Sequence, residues 1–320
     1  MIPHPEIGNV MVFFKGEFVP LENAKVSILT QALHYGTAVF EGIRGYWDAE
    51  SEDIYLFRLR EHYERMKRNC NLLKIKLPLS VNEMCDFSVE LVQRNKFTEN
   101  VYIRPLAYKS TRSIGVRLAT DDDFFIVAVP FGDYLDTQRG LSVCTSSWRR
   151  TEDNAIPCRG KISGGYVNCA LAADEAHSSG FDEAVMLSES GHVSEGPGFN
   201  IFMVRNHKLV TPGETENILE GITRDSVIRL AEEELHLPVE VRKIDRSELY
   251  VCDELFFCGT AAQIASITSV DRRMVGTGEI GMVTREVQKL YNAVVVNKFP
   301  KYAEWCTPAY RYQRAEIGIR

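Results

Sequence analysis

The chain has 320 residues, of which 45% are hydrophobic, 25% charged and 10% aromatic. This length suits about two domains, and the composition is that of a folded globular protein rather than a disordered one. The 37 basic and 44 acidic residues give a formal net charge of −7, which argues against nucleic acid as a partner.

The sequence carries no sign of membrane insertion or secretion. Its longest apolar stretch, Phe124–Phe131, is far shorter than the roughly 20 residues that cross a bilayer. The first residues lack the basic start and apolar core of a signal peptide. The eight cysteines include no Cys-x-x-Cys pair, so we predict neither disulfides nor a metal site. We therefore expect a cytoplasmic protein.

Hydrophobic patterns divide the N-terminal part into strands and two helices. Helical spacing is found in Leu59–Leu73 and Glu83–Arg94. Three aspartates at 121–123 favour a solvated strand start over a metal site. Strands are predicted at Val10–Phe14, Phe18–Pro20, Val39–Trp47, Ile54–Phe57, Val101–Tyr108 and Phe124–Pro130.

The C-terminal part mixes strands and helices less regularly than a doubly wound sheet does. Helices are predicted at Tyr166–Ser179, Thr223–Leu235 and Val283–Val296. The predicted fold class is α+β, with a small N-terminal domain over 1–130, a linker over 131–139 and a larger, strand-rich C-terminal domain over 140–320. Strands are predicted at Leu141–Ser146, Glu183–Ser188, Asn200–Arg205, Lys208–Thr211, Val239–Ile244, Glu254–Cys258 and Ile264–Val270.

One glycine motif, Gly276-x-Gly278-x-x-Gly281, has the spacing of a dinucleotide-binding turn. Such a site needs a preceding strand, a helix, a second strand and an acidic residue about 20 positions later. Here the motif stands near the C-terminus with one helix left, so a loop before that helix is the better interpretation. A nucleotide-binding oxidoreductase remains an alternative on this motif alone, and a non-catalytic oligomer is another.

Four other glycine-rich segments contain groups that suit one cofactor. Lys161 lies among glycines, where partial desolvation lowers the pKa of a lysine and makes it a Schiff-base nucleophile. Glu195, followed by glycine and proline, is a fixed carboxylate of the kind that pairs with a protonated ring nitrogen. Gly221 and Thr223 open a helix whose first amides form an anion site. Segment 258–262 offers a further hydroxyl and further amides. Together these groups describe a site for pyridoxal 5′-phosphate (PLP).

On these residues the sequence resembles the branched-chain amino acid aminotransferases, which are class IV (fold type IV) PLP enzymes. The resemblance runs from about Val12 to Ala293, with order and spacing preserved throughout. It is carried by HYGTAVFEGIR at 34–44, REHYERM at 60–66, YIRP at 102–105, Lys161 with Tyr166 five residues on, SEG at 194–196, GITR at 221–224 and GTA at 259–261.

The resemblance implies a role for each site residue. Lys161 forms the Schiff base and carries the proton of the substrate Cα, Glu195 holds the pyridine nitrogen protonated, and Tyr166 bonds the phenolic oxygen. The phosphate is held by Arg65, the amides of Ile222 and Thr223, and Thr260. Arg104 is the cation for the second carboxylate of glutamate. The substrate pocket maps to Tyr35, Phe40, Tyr102, Arg104, Val116, Phe131, Tyr134, Tyr166, Thr260 and Ala261.

The implied reaction moves the amino group of L-leucine, L-isoleucine or L-valine to 2-oxoglutarate in two half-reactions, as in branched-chain amino acid biosynthesis. Tyr35 and Val116 would come from a neighbouring subunit, which implies at least a homodimer, and the cofactor is expected in the cleft between the two domains. The tail 297–320 exceeds the family core and is interpreted as a packing or assembly extension.

Two departures from the family pattern keep substrate breadth open. Arg112 and Arg117 replace smaller or neutral residues in the loop 111–118, and Phe131 stands where tryptophan is common. The alternatives within the same fold are an enzyme with side activity toward (R)-primary amines, a D-amino acid aminotransferase and an aminodeoxychorismate lyase.

Overall fold

The computed structural model describes residues 10–132, 134–135 and 137–312, which contain sixteen strands and six α-helices. The strands are β1 Met11–Phe14, β2 Glu17–Pro20, β3 Ala38–Phe40, β4 Ile43–Asp48, β5 Asp53–Phe57, β6 Val101–Lys109, β7 Asp122–Pro130, β8 Leu141–Thr145, β9 Glu183–Val185, β10 Asn200–Arg205, β11 Lys208–Thr211, β12 Val239–Val241, β13 Glu254–Gly259, β14 Gln263–Val270, β15 Arg273–Met274 and β16 Cys306–Pro308. The helices are α1 Gln31–Tyr35, α2 Leu59–Cys70, α3 Val81–Asn95, α4 Tyr166–Ser178, α5 Ile222–Glu233 and α6 Met282–Val295. None of these helices combines the length and the apolar character that a membrane span requires.

The chain forms two compact units. The first contains the described residues up to Gly132 together with those from Ala293 to Tyr312, and the second contains the described residues between them. The C-terminal segment was expected in the domain 140–320 but groups with the first unit, because β16 pairs with β5 there. The predicted domain ends at 1 and 320, and Asp133 and Asp136 of the predicted linker, lie outside the described residues.

The first unit is built on an antiparallel sheet with the strand order β16-β5-β4-β6-β7-β1-β2, in which β3 also pairs with β6. Along β6 buried and partly exposed residues alternate from Val101 to Leu106. This alternation leaves one face of the strand for the core, as expected for an antiparallel sheet. At the start of β7, Asp122 pairs with Lys109 over 2.8 Å and Asp123 with Lys15 over 3.1 Å.

Helices α2 and α3 pack on one another in the first unit. Helix α3 begins with a complete capping box, in which Ser80 and Glu83 satisfy each other's backbone amides. Helix α2 buries a stripe that includes the fully buried Tyr63 and Met66, with the spacing of an amphipathic helix. Three polar residues, His62, Arg65 and Asn69, lie within that buried stripe.

The second unit is built on a mixed sheet with the order β12-β11-β10-β13-β14-β8-β9, and β15 pairs with β14. The pairs β11·β12, β14·β8 and β8·β9 are parallel, and the other pairs are antiparallel. A core of aliphatic and aromatic side chains covers it, including Ile201, Met203, Leu255, Phe257 and Ile267. A smaller cluster of Cys144, Ala172, Ala176, Ala184 and Met186 packs where small residues of α4 meet β9.

One predicted strand, Val39–Trp47, is divided into β3 and β4 by Glu41 and Gly42. Both pieces pair with β6 in a common register, since Phe40 faces Leu106 and Ile43 faces Ile103. The ladder is interrupted because Pro105, opposite Glu41, has no N–H to donate. The carbonyl of Pro105 still accepts the amide of Glu41 over 3.0 Å. Glu41, which lies at this interruption, is fully buried. Its carboxylate holds Arg65, as described below.

Other differences from the predicted elements are small. Helix α2 ends at Cys70, and Asn71–Leu73 is a 3-10 turn. Strands β9 and β12 are shorter than predicted, and α5 begins at Ile222. The short helix α1 and the strands β15 and β16 had no predicted counterpart.

Candidate active site

Lys161 lies in the second unit, in a segment that leads into helix α4. A 3-10 turn, Ser163–Gly165, joins it to Tyr166, the first residue of the helix. The Lys161 ammonium donates a hydrogen bond to the Tyr166 hydroxyl over 2.8 Å and lies 5.2 Å from the centre of the ring. Both residues are partly exposed. The structure therefore brings Lys161 and Tyr166 together, as an amine oriented by a phenol.

Glu195 is a buried carboxylate with three hydrogen-bond donors around it. Its side chain is in the same unit, and the residue is 3% exposed. One carboxylate oxygen accepts from Arg150 Nε over 3.0 Å. The other accepts from Asn200 Nδ2 over 2.9 Å and from the backbone amide of Leu219 over 3.1 Å. The carboxylate plane is thus fixed by groups from three separate segments.

The electrostatics of Glu195 combine burial with a neighbouring cation. Burial raises the pKa of this carboxyl above its ordinary value, and Arg150, the Leu219 amide and Lys161 oppose the rise. Burial also acts on Arg150, but the Glu195 charge outweighs it, so the pKa of Arg150 lies above its ordinary range. A buried carboxylate of raised proton affinity is suited to share a proton with a basic ring nitrogen.

The start of helix α5 forms a cradle of backbone amides. Gly221 precedes Ile222 in an extended conformation, and no side chain caps the helix. A Cβ at Gly221 would lie 1.9 Å from Asn200 Oδ1, so a side chain at this position would require Asn200 or the turn to move. The first amides of a helix point outward at its positive end, and that end attracts phosphate. Ile222 and Thr223 stand at this helix start, and their contact with a phosphate stays a prediction.

Thr260 and Ala261 lie in the loop that joins β13 to β14. The two strands close at the pair Gly259 and Gln263. A Cβ at Gly259 would lie 3.4 Å from the Gly198 carbonyl, which brings the loop beside the segment that follows Glu195. The Thr260 hydroxyl is thus carried on the same unit as Lys161 and Glu195.

Arg65 lies in the first unit and is held by a carboxylate that sequence reasoning did not identify. Arg65 Nε and a terminal guanidinium nitrogen each donate to Glu41 over 2.7 Å. His62 Nδ1 lies 2.8 Å from the same carboxylate. Arg65, His62 and Glu41 are 4%, 2% and 0% exposed. The guanidinium therefore has one fixed orientation.

Four predicted substrate residues of the first unit form one cluster. The Arg104 guanidinium lies 4.6 Å from the ring of Phe40 and 5.0 Å from that of Tyr102, and it donates to the Tyr102 hydroxyl over 3.1 Å. The Tyr102 and Phe131 rings are 4.9 Å apart. Arg104 Nε is buried and has no hydrogen-bond partner within the described chain. A cation framed by aromatic rings suits a carboxylate and an apolar side chain together.

Tyr35 and Val116 lie together on an exposed surface of the first unit. The Tyr35 hydroxyl accepts the amide of Gly115 over 3.0 Å. Gln31 donates to the carbonyls of Gly115 and Arg117 over 3.0 and 2.7 Å, which fastens the loop to α1. Tyr134, of the second unit, is also exposed, with its ring 6.0 Å from that of Phe199.

Comparison with known proteins identifies the family. The family model described as Amino-transferase class IV matches residues 38–270. The chain belongs to the class IV aminotransferases. A probable branched-chain-amino-acid aminotransferase of Aquifex aeolicus is 46% identical over 299 residues, which cover 93% of this chain and 96% of the relative.

Solved structures of class IV aminotransferases agree with the fold. The branched-chain aminotransferase of Thermoproteus uzoniensis with norvaline has a TM-score of 0.91 and 41% identity, covering 95% of this chain and 100% of its own. The T.th. branched-chain amino acid aminotransferase complexed with N-(5′-phosphopyridoxyl)-L-glutamate has a TM-score of 0.89 and 39% identity, covering 94% and 99%. The predicted α+β, fold type IV class is confirmed.

Class IV aminotransferases use PLP, as predicted, and the residues of the second unit fit that group. A lysine amine is bonded to a phenol, and a buried carboxylate is available for a ring nitrogen. Helix α5 begins directly after Gly221, and no side chain caps its start. An amine, a carboxylate and the amides of a helix start are the groups that bind an aldehyde, a pyridine nitrogen and a phosphate, respectively.

Four polar residues of this aminotransferase were not identified from the sequence: Arg150, Asn200, Glu41 and His62. Asn200 and Glu41 stand inside segments that carry the family resemblance or adjoin it, so their positions offered a signal. Arg150 lies in the segment 146–162 between β8 and α4, where no motif points to it. Its place beside Glu195 is set by the fold alone.

Proposed function

We propose that the protein transfers the amino group of L-leucine, L-isoleucine or L-valine to 2-oxoglutarate, with PLP as cofactor. The observation that carries this proposal is the Lys161–Tyr166 pair, in the same unit as the buried Glu195, in a class IV aminotransferase. The branched-chain names of the Aquifex and Thermoproteus proteins support the donor. The phosphopyridoxyl-glutamate bound to the T.th. enzyme supports glutamate as the second product.

When bound, PLP supplies an aldehyde that takes up the amino group and a ring that stabilises negative charge at Cα. Lys161 Nζ takes the proton from the substrate Cα and returns a proton to the cofactor carbon that receives the nitrogen. Tyr166 orients Lys161 through its hydroxyl. Glu195 keeps the ring nitrogen protonated. The amides of Ile222 and Thr223 and the Thr260 hydroxyl would hold the phosphate, and the family resemblance assigns the same role to Arg65.

The first unit supplies substrate recognition in this proposal. Phe40, Tyr102 and Phe131 contact the branched side chain, while Arg104 binds the second carboxylate of 2-oxoglutarate. The support is the cation-and-ring cluster, in which Arg104 Nε lacks a partner within the described chain. The family resemblance also assigns substrate contacts to Tyr134, Thr260 and Ala261 of the second unit.

We further propose that two copies of the chain associate through the surface of α1 and the loop after β6. Its support is a group of exposed apolar side chains: Ile28 is 80%, Leu33 65%, Ile114 78% and Val116 84% exposed. Apolar patches of this kind mark association surfaces. In the assembly Tyr35 and Val116 would enter the partner's substrate pocket. Leu33→Asp should yield monomers when the mass is measured by light scattering. Met274→Asp, at a residue that is 71% exposed, should not. An unchanged mass for Leu33→Asp would refute the proposed association surface.

A reducing cytoplasm is the proposed location. All eight cysteines lie in the described part of the chain as buried free thiols. Buried thiols without disulfides are the usual state of cytosolic proteins. Labelling of intact and unfolded protein with a thiol reagent, without reductant, tests this: eight thiols should react only after unfolding.

The proposed reaction is tested with a panel of amino donors and 2-oxoglutarate. L-leucine, L-isoleucine and L-valine should turn over faster than D-alanine and (R)-1-phenylethylamine, with glutamate appearing in equal amount. Lys161→Ala should abolish turnover, while Lys208→Ala, at an exposed strand position, should leave it unchanged. Faster turnover of the (R)-amine would favour the alternative amine transaminase, and multiple turnover by Lys161→Ala would refute the role of the lysine.

Recognition of the second carboxylate has its own test. Arg104→Met should raise KM for 2-oxoglutarate at least tenfold, since one charge-assisted hydrogen bond contributes about 1.5 kcal/mol or more. KM for 2-oxo-4-methylpentanoate, which lacks that carboxylate, should change much less. Equal changes for the two oxo acids would contradict the assignment of Arg104.

A further inference from the structure

Asn200, the first residue of β10, links two parts of the second unit that the proposed reaction uses separately. It is 6% exposed. Its Nδ2 donates to Glu195 Oε2 over 2.9 Å and to the carbonyl of Leu219 over 3.0 Å. Its Oδ1 faces Gly221, where a Cβ would lie 1.9 Å away. One amide side chain therefore touches the Glu195 carboxylate and the turn that opens α5.

The bonds around Asn200 close into a small ring. Glu195 Oε2 also accepts the amide of Leu219 over 3.1 Å, while the Leu219 carbonyl accepts from Asn200. A rotation of the Glu195 carboxylate would break its bonds to both Asn200 and Leu219. Leu219 stands two residues before Gly221, which occupies the N-cap position of α5. A displacement of the helix start is thus coupled to a displacement of the carboxylate.

We propose that Asn200 is a positioning residue that holds the carboxylate for the pyridine nitrogen and the amides for the phosphate at a fixed separation. The inference rests on the proposed PLP-dependent function and on the assignments of Glu195, Ile222 and Thr223 made there. Asn200 touches neither the cofactor nor the substrate in this role. It acts through the groups that do.

The chemistry of an amide suits this place better than that of a charged side chain. Arg150 already supplies one full positive charge, to the other oxygen of Glu195. The amide of Asn200 adds two donated bonds without further charge, so it fixes the carboxylate while leaving its proton affinity to burial and Arg150. A carboxylate at position 200 would instead place a second negative charge beside Glu195 and raise the proton affinity of the site.

The first experiment compares PLP with pyridoxal, which lacks the phosphate, on the wild type and on Asn200→Ala. Dissociation constants are measured by cofactor absorbance after the holoenzyme is stripped and refilled. The ratio of the two constants reports how much the phosphate adds to binding. If Asn200 couples the two ends, Asn200→Ala should weaken PLP about tenfold or more and lower this ratio severalfold, because coupled contacts are not additive.

A closely matched control is available in the same unit. Asn217 is also 6% exposed and also donates Nδ2 to a glutamate, Glu152, over 2.9 Å. Asn217→Ala should leave both dissociation constants and their ratio unchanged. If Asn200→Ala raises the dissociation constants of PLP and pyridoxal by the same factor, Asn200 acts on the Glu195 carboxylate alone. That result would overturn the coupling.

The second experiment uses the isosteric variant Asn200→Asp and a spectroscopic signal. The pH midpoint of the absorbance change of the bound cofactor should shift upward, because a second carboxylate stabilises protonated forms of the site. Asn217→Asp should not move that midpoint. An unchanged midpoint in Asn200→Asp would contradict the proposal.

Circular dichroism decides the remaining case. If both Asn200 variants lose the native spectrum, the role of Asn200 is structural and the proposal is wrong. The test also separates this inference from the proposed function. A wild-type protein that binds no PLP refutes the proposed function, whereas wild-type binding with unaltered Asn200 variants refutes only the coupling.

Discussion

Glu41 holds the guanidinium of Arg65 through two hydrogen bonds of 2.7 Å, in a place where both residues are almost completely buried. Burial alone would raise the pKa of Glu41, but Arg65 and His62 outweigh it and hold that pKa well below its usual range. The pair is therefore ionic in the folded protein. Removing one member of such a pair costs about 3–5 kcal/mol because the other charge is left buried.

This geometry predicts that the shape of Arg65, and not its charge alone, sets PLP retention. Arg65→Lys keeps the charge but loses the planar fork that pairs with Glu41. The variant should release PLP about tenfold to a hundredfold faster, as expected for one or two charge-assisted bonds to the phosphate. Release is measured by dialysis of the holoenzyme followed by absorbance.

The control for Arg65→Lys lies on the same helix. Arg68→Lys, on the exposed face of α2, should leave PLP release unchanged. Binding of pyridoxal should be nearly equal in wild type and Arg65→Lys. A loss of pyridoxal binding as large as the loss of PLP binding would contradict the assignment of Arg65 to the phosphate.

Gly221→Ala should damage the cofactor site through a steric contact. The new Cβ would lie 1.9 Å from Asn200 Oδ1 and 3.3 Å from the Cβ of Arg224, so Asn200 or the helix start must move. The expected result is at least tenfold weaker PLP binding with the far-ultraviolet spectrum preserved. Gly213→Ala, whose Cβ would have an ordinary contact of 3.6 Å with Val241, should bind PLP normally. Wild-type affinity in Gly221→Ala would show that the cradle tolerates a side chain.

The fully buried Asp53 fastens the C-terminal segment to the first unit. Its carboxylate accepts the backbone amides of Ala309, Tyr310 and Arg311 over 3.0, 2.8 and 3.2 Å. Asp53→Asn replaces one acceptor oxygen with an N–H donor that faces these amides. The free energy of unfolding should fall by about 2–4 kcal/mol, since hydrogen bonds to charged groups contribute about 1.5–3 kcal/mol each.

Denaturant unfolding checks the Asp53 prediction, together with limited digestion by trypsin. Cleavage near Lys301 or Arg311 should become faster than in the wild type. Asp225→Asn, at a largely exposed ion pair with Arg229, serves as the control and should change stability by less than about 1 kcal/mol. Unaltered stability of Asp53→Asn would contradict the anchoring role of the Asp53 carboxylate.

The sequence was sufficient for the fold class and for PLP as the cofactor, because both follow from local patterns and from the family resemblance. Helix α5 and its start at a glycine could be predicted from residue spacing, and the sequence positions of Lys161 and Tyr166 could be identified from the family motif. The position of the C-terminal segment in the fold could not be predicted. It depends on pairing between β16 and β5, about 250 residues apart along the chain, which local hydrophobic periodicity does not encode.

The partners of the site residues were also beyond the sequence. Arg150 reaches Glu195 from 45 positions away, and Leu219 from 24, so neither contact has a local signature. Without the family resemblance, Arg65 would be interpreted as an exposed helix arginine, because its partner Glu41 lies 24 positions away, at the break between β3 and β4. That break follows from the missing N–H of Pro105, a feature of the neighbouring strand.

Because of Glu183, the free energy of unfolding should decrease as pH rises. Glu183 is 8% exposed at the start of β9. Burial raises the pKa of its carboxyl from 4.5 to about 7, a rise that the Ala184 amide opposes and Asp182 reinforces. The folded state therefore binds a proton more tightly than the unfolded state. Stability is fully present below about pH 4.5 and is lost progressively up to about pH 7.

The variant Glu183→Gln should remove this dependence because the amide does not titrate. Its Oε1 can still accept the Ala184 amide, which Glu183 accepts over 3.0 Å. Above pH 7 the variant should be more stable than the wild type by up to about 3 kcal/mol, at about 1.4 kcal/mol for each pH unit that separates the two pKa values. Near pH 4.5 the two proteins should be equally stable. Denaturant unfolding from pH 4.5 to 8 measures the difference in stability. Glu189→Gln, at an exposed position, is the control. Parallel curves of stability against pH for Glu183→Gln and the wild type would contradict the raised proton affinity of Glu183.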